Sequence, residues 1–278
     1  MNKTIKLSSR PTQEFWEIDV LFEDEHLLAL NKPSGLLTSP DRYDPDRPNL
    51  MRLLHRGIAE AKPWAQQRGL VYLANAHRLD FETSGVLLLA KSKSTLVQLA
   101  DQFGVDKPRK TYAALVAGHP KQSSWEIDAP IGPHPTRLGL MRVDPKRGKQ
   151  SRTLFSIREC YQGYALLQCR PVTGRTHQIR AHLSHCRLPI CGDRAYGGRP
   201  LLLSQLKSDY RLKHGRDERP LISTIALHAE ELAICHPVTG QQIAMVANWP
   251  KDLLVAVRYL QRYALAPAET APSGPEPG

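Results

Sequence analysis

At 278 residues, with 41% hydrophobic and 23% charged side chains, the chain is long enough to fold around one large core or two small ones. It carries 38 Lys and Arg against 27 Asp and Glu, a net charge of +11, and such a surplus attracts polyanions, of which nucleic acid is the usual one. Five cysteines without a C-x-x-C pair argue against a disulfide framework and a zinc knuckle, and no run approaches the ~20 apolar residues of a membrane span.

Residues 1–15 read as a loose basic arm. Met1 to Gln13 lacks the apolar stretch of a signal peptide, so the expected location is the cytoplasm. Val20-Leu21-Phe22, a polar turn and Leu27-Leu28-Ala29-Leu30 read as strand, turn, strand, closed by the turn residues of Asn31-Lys32-Pro33-Ser34-Gly35. Pro40, Pro45 and Pro48 mark a surface loop. Asn49 is placed to cap a helix whose Leu50, Leu53, Leu54 and Ile58 share one face. Val86 to Ala90 is short and apolar, which predicts a buried strand. A second amphipathic helix carries Leu96, Leu99, Ala100 and Phe103 after the cap candidates Ser92 and Ser94. Thr111 to Ala117 reads as a strand.

From Arg137 to Arg152 there are six Lys or Arg and one acid, Asp144, a pattern expected of an extended basic loop or hairpin. Tyr164 to Arg170 is an expected strand, and Pro171-Val172-Thr173-Gly174 turns the chain into a helix over Thr176 to Cys186. Residues 199–220 are of mixed charge without a period, as in an insertion. Leu227 to Cys235 reads as a strand, and Leu253, Val257 and Leu260 mark a final helix. Residues 264–278, rich in Pro, Gly, Ser and Glu, are expected to be disordered. Short strands among helices, without a regular β-α-β rhythm, predict the α+β class. Residues 16–263 show no linker and read as one catalytic domain.

Three constellations carry chemistry. In His77-Arg78-Leu79-Asp80-Phe81-Glu82-Thr83-Ser84-Gly85, a carboxylate and a guanidinium lie on a loop just ahead of a core strand, where reactive groups tend to be placed. Taken alone, Asp80 and Arg78 read better as a loop-fixing ion pair. In Gly174-Arg175-Thr176-His177-Gln178-Ile179-Arg180-Ala181-His182, a turn glycine leads into a helix with two Arg in its opening turns, a setting that favours anions. His177, His182 and His185 raise a metal reading, but their spacing lacks the HExxH pattern and no acidic ligand accompanies them, so no metal is expected. In Lys110-Thr111-Tyr112, Tyr112 is either a core-edge aromatic or a ring for base stacking.

Together these segments resemble the RluA family of RNA pseudouridine synthases. Val20 to Pro40 is similar to the family's opening motif, His77 to Gly85 to its catalytic-aspartate motif and Lys110-Thr111-Tyr112 to its K-x-Y motif. GRTHQIRAH with Pro189-Ile190-Cys191-Gly192-Asp193 is similar to its arginine-bearing motif, and Leu227-His228-Ala229 with His236-Pro237 to its closing segment. Five motifs in order, over about residues 18–250, make the resemblance specific where one alone would not. It implies a mixed, largely antiparallel sheet with flanking helices and a central active-site cleft. It implies that uridine in rRNA or tRNA is detached at N1–C1′, rotated and rejoined through C5, with no cofactor. By resemblance, Asp80 is the nucleophile or base, Tyr112 packs on the target base, Arg180 pairs with the Asp80 carboxylate and Arg78 fills the space left by the flipped base.

Many relatives carry an S4 module ahead of the opening motif. Here about 19 residues precede Val20, too few for a domain, so target selection is expected to rest on the catalytic domain. The expected RNA contacts are His77, Arg78, Arg142, Lys146, Arg147, Lys149 and Arg175, with 199–219 as a further basic segment, and the expected state is a monomer. A non-catalytic RNA-binding protein on the same scaffold is the alternative. A zinc nucleobase deaminase would require H-x-E and P-C-x-x-C, which the sequence lacks.

Overall fold

The computed structural model describes residues 3–41, 44–212 and 215–265. In chain order it has β1 (Thr4–Ser9), β2 (Glu14–Glu23), β3 (Leu27–Lys32), α1 (Leu50–Ala59), α2 (Pro63–Gln66), β4 (Ala74–Asn75), β5 (Ser84–Ala90), α3 (Lys93–Gly104) and β6 (Arg109–Ala117). Then come β7 (Ser124–Asp128), β8 (Ile131–Pro133), β9 (Met141–Val143), β10 (Arg152–Tyr161), β11 (Tyr164–Pro171), α4 (Gln178–His185), β12 (Leu227–Cys235), β13 (Gln242–Val246) and α5 (Lys251–Tyr263). The chain forms two compact units: unit 1 is Met1–Lys110 with Ala229–Asn248, and unit 2 is Thr111–His228 with Trp249–Gly278. Residues 16–263, read from sequence as one domain, divide between these two units.

In unit 1 the strands run in the order β1-β2-β3-β5-β12, with β13 on β12 and β4 on β5. The loose arm expected over residues 1–15 is corrected. Thr4–Ser9 alternates polar and apolar, pairs antiparallel with β2 and buries Ile5 and Leu7. That alternation is the period of a half-buried strand, and it outweighs the polar composition. The apolar run before Lys91 behaves as expected: every residue of β5 is buried. Asn49 caps α1, accepting from Arg52 N–H, and Ser92 caps α3, accepting from Thr95 N–H. Gly85 sits at φ +117, and a Cβ there would lie 2.1 Å from Ala229 O. Only glycine lets β5 start so close to β12.

In unit 2 the strands run β6-β11-β10-β7, and β8 pairs β9 as a separate hairpin. α4 and α5 cover the core through Ile179 and Leu183 and through Leu253, Val257 and Leu260. β10 has no counterpart among the elements expected from sequence; it buries Thr153 and Phe155 alternately and stacks the Phe155 ring on Trp125 of β7 at 5.2 Å. The disorder expected over 264–278 does not hold for Ala264 and Leu265. Ala264 is buried, its carbonyl accepts from Gln162 N–H at 2.7 Å, and Leu265 bridges to Tyr161. The remainder of that segment, 266–278, lies outside the described residues. The α+β class, with a largely antiparallel sheet and few flanking helices, holds. Among the described residues no helix is long and apolar enough to cross a membrane.

Candidate active site

Asp80 is half-buried on the loop that leads into β5. The chain around it is fixed residue by residue by the turn that follows β3. Thr38 Oγ1 donates to Leu79 O at 2.9 Å and accepts from Leu79 N–H at 3.2 Å. Gly35 N–H donates to Phe81 O at 2.9 Å, and Ser34 Oγ donates to Glu82 O. Thr83 N–H closes a turn onto Asp80 O at 3.2 Å. The carbonyls on both sides of the carboxylate are therefore tied to Asn31-Lys32-Pro33-Ser34-Gly35 and its sequel, and the Asp80 side chain projects from a rigid frame. Positioned groups of this kind are what catalysis requires.

Lys32 is fully buried, and its Nζ donates to Leu36 O at 2.6 Å and Pro33 O at 2.9 Å, with Phe81 O at 3.4 Å. Burial pushes its ammonium down to about 7, opposed by the attraction of the Asp80 carboxylate. The Asp80 carboxylate thus favours the charged form of Lys32. Thr83 Oγ1 is buried there without a hydrogen-bond partner.

Arg78 is exposed. His77 is half-buried. Its Nε2 accepts from Leu88 N–H at 3.1 Å and its ring stacks on Phe103 at 5.0 Å. Burial, with the Lys110 ammonium adding to it, pushes this imidazole down to about 4. Both ring contacts, with Leu88 and Phe103, lie within unit 1.

Unit 2 carries the other two expected catalytic side chains. Tyr112 lies on β6 opposite Cys169 of β11 and packs against the unit's core. Arg180 is 3% exposed on α4, and its Nε and Nη2 donate to the two carboxylate oxygens of Asp193, at 2.7 and 2.9 Å. Its guanidinium also lies over the Tyr196 ring at 4.9 Å. Asp193 closes the Pro189-Ile190-Cys191-Gly192-Asp193 run, and sequence reasoning gives it no role of its own. The entry to α4 is fixed by buried Gln178, whose Oε1 accepts from Arg175 N–H and Thr173 Oγ1 and whose Nε2 donates to Arg152 O and Thr153 Oγ1. His182 uses both ring nitrogens on Thr153 Oγ1 and Ala129 O. His177 Nδ1 bonds the Tyr196 hydroxyl. Among the described residues no group of three or more His, Cys, Asp or Glu could hold a metal ion.

The basic segment forms the β8–β9 hairpin and the turn after it. Arg142, Lys146, Arg147 and Lys149 are all exposed there. Asp144 organises the turn: its Oδ1 accepts from Arg147 N–H and Lys146 N–H, and its Oδ2 pairs with Arg142. The same bonds, with Arg147 N–H foremost, hold its carboxyl below the usual range. Arg175 is exposed beside this turn, with Nε on Gln150 O at 3.2 Å.

The model of the RNA pseudouridylate synthase family matches residues 26–185. Among curated proteins, the chain is 37% identical to ribosomal large subunit pseudouridine synthase D of Xylella fastidiosa, over 85% of this chain and 67% of that one. It is 35% identical to the protein of that name from Xanthomonas campestris, over 91% and 72%, and 32% identical to that from Escherichia coli K12, over 94% and 76%. Among solved structures, human RNA pseudouridylate synthase domain containing 4 shares the fold with a TM-score of 0.65, 23% identity and coverage of 87% of this chain and 92% of that one. Human RNA pseudouridylate synthase domain containing 1 does so with a TM-score of 0.61 and 24% identity, over 86% and 87%. The chain belongs to the RNA pseudouridine synthase family, isomerases that act on uridine in RNA.

Proposed function

We propose that the chain isomerises uridine in ribosomal RNA of the large subunit, with Asp80 as the catalytic carboxylate. The observation that carries this reading is the loop of Asp80, whose neighbours Leu79, Phe81 and Glu82 are each hydrogen-bonded to residues 34–38. A carboxylate is a weak nucleophile unless it is held ionised and oriented. The rigid frame supplies the orientation. The N1–C1′ bond breaks, a C1′–C5 bond forms, C5 gives up its proton to solvent and N1 gains one. Tyr112 offers its ring to the target base and Arg180 its guanidinium to negative charge. Arg78 is exposed on the Asp80 loop and fits the role of filling the gap left by the flipped nucleotide, which offsets part of an unstacking cost of a few kcal/mol.

The RNA backbone is held by Arg142, Lys146, Arg147, Lys149 and Arg175, all exposed on unit 2. The large-subunit target is drawn from the names of the relatives; transfer RNA is the competing substrate. We further infer a monomer working in the cytoplasm without a cofactor. Purified chain incubated with 5-tritiated-uridine rRNA and tRNA in chelator is expected to release tritium from the large-subunit rRNA. Release from tRNA alone would move the target, and release from neither would refute the reading.

A further inference from the structure

Residues 199–220 are expected to be an insertion, and the described residues of that stretch start and end side by side in unit 2. Its ends are joined by Leu221 N–H donating to Leu201 O at 2.8 Å. Leu201 is buried in the core of the unit, and Leu206 and Leu221 pack against it. Inside the stretch Lys207 N–H bonds Leu203 O, Tyr210 N–H bonds Lys207 O, and the Glu218 carboxylate accepts from Ser204 N–H. A compact loop of this kind, tied at its ends and packed by its own side chains, is seldom mere connection.

The loop and α5 enclose a cleft of about 1000 Å³. Arg211, Arg216 and Arg219 line it and are exposed, and Tyr210 and Tyr259 supply two half-buried rings. Tyr259 stacks on Tyr263 at 6.0 Å, and Lys207 and Arg262 lie over the Tyr263 ring at 6.0 and 5.3 Å. Two acids, Asp217 and Glu218, also line the cleft, and Glu218 is engaged by the Ser204 N–H. Arginines interleaved with aromatic rings form the surface that holds single-stranded nucleic acid, with cations on phosphates and rings under bases.

We propose that this cleft is a second RNA site, separate from the Asp80 loop and the β8–β9 hairpin, and that it grips a single-stranded segment of the substrate. The inference rests on the reading of the chain as an enzyme of RNA. It assigns to the residues lining the cleft a task that the reaction itself does not require: holding RNA.

The test uses the full chain and a fluorescein-labelled oligouridylate of about 12 nucleotides, within the span of known single-strand sites. The variant Arg211→Gln/Arg216→Gln/Arg219→Gln is expected to weaken binding about tenfold. It should also reduce the log–log salt slope by about two, since each phosphate no longer neutralised removes about 0.7. Its pseudouridine formation at saturating rRNA should stay at the wild-type rate. Photocrosslinking of wild type to a 5-bromouridine oligomer is expected to label peptides containing Tyr210 or Tyr259, a readout independent of the folding of any variant. Unchanged affinity and slope in the triple variant, or crosslinks confined to the β8–β9 hairpin, would overturn the second site and leave the enzyme reading intact. A wild-type chain that neither binds nor modifies any RNA would overturn both.

Discussion

Arg180 and Asp193 form a two-pronged ion pair inside unit 2, Nε to Oδ2 at 2.7 Å and Nη2 to Oδ1 at 2.9 Å, with the residues 3% and 1% exposed. Removing Asp193 takes a buried, two-pronged partner from the Arg180 guanidinium, and breaking such a pair costs about 3–5 kcal/mol. Asp193→Ala should therefore lower the urea midpoint of unfolding and depress turnover together. Arg180→Lys should not restore activity, because an ammonium cannot offer the same fork. An Asp193→Ala variant that melts with wild type would show that the pair does not hold this helix in place.

The two arginines around the start of α4 should separate. Arg175 is exposed and Arg180 buried. Arg180→Ala is expected to reduce single-turnover rate at saturating RNA by at least a hundredfold, about 2.7 kcal/mol at the barrier. Arg175→Ala should raise the RNA dissociation constant and leave that rate within about threefold of wild type. Equal rate losses would place Arg175 in the chemistry as well.

Lys32 makes a pH prediction with a definite sign. Its ammonium is at about 7 in the folded chain against 10.5 for the free side chain. Between those values the unfolded chain binds more protons, so stability rises with pH across that window, and the burial cost is felt in full below about 7. Lys32→Met should lack this rise. Urea unfolding of both chains at about pH 7 and about pH 10 measures it, and parallel shifts in the two would refute the assignment.

Much of this was legible in the sequence, for physical reasons. The apolar β5 run and the caps at Asn49 and Ser92 are local signals, carried by residues within a few positions of one another. The TIKLSS strand was equally local, and its alternation was masked by the basic residues around it. The partners of the Asp80 loop were not local: Thr38 reaches Leu79 across 41 residues and Ser34 reaches Glu82 across 48. Lys32, Thr38 and Asp193 stand inside recognisable motifs, but only the fold shows what their side chains hold. His77 is likewise a motif residue whose sequence does not show that its ring packs on Phe103 and accepts from the N–H of Leu88.

The hairpin cations should supply affinity and not chemistry. Replacing Arg142, Lys146, Arg147 and Lys149 with Gln is expected to weaken rRNA binding and flatten its salt dependence by up to about 0.7 for each cation removed. Single-turnover rate at saturating RNA should hold. A salt series that overlays wild type would mean that RNA is gripped elsewhere.

The most direct test is Asp80→Asn, assayed by single-turnover tritium release from 5-tritiated-uridine rRNA alongside thermal melting and RNA binding. Asn keeps the size of the side chain and removes the nucleophilic charge. The expected result is no release above background, with melting temperature and RNA affinity close to wild type. Release at the wild-type rate, or a variant that is inactive only because it no longer folds, would contradict the assignment of Asp80 as the catalytic carboxylate.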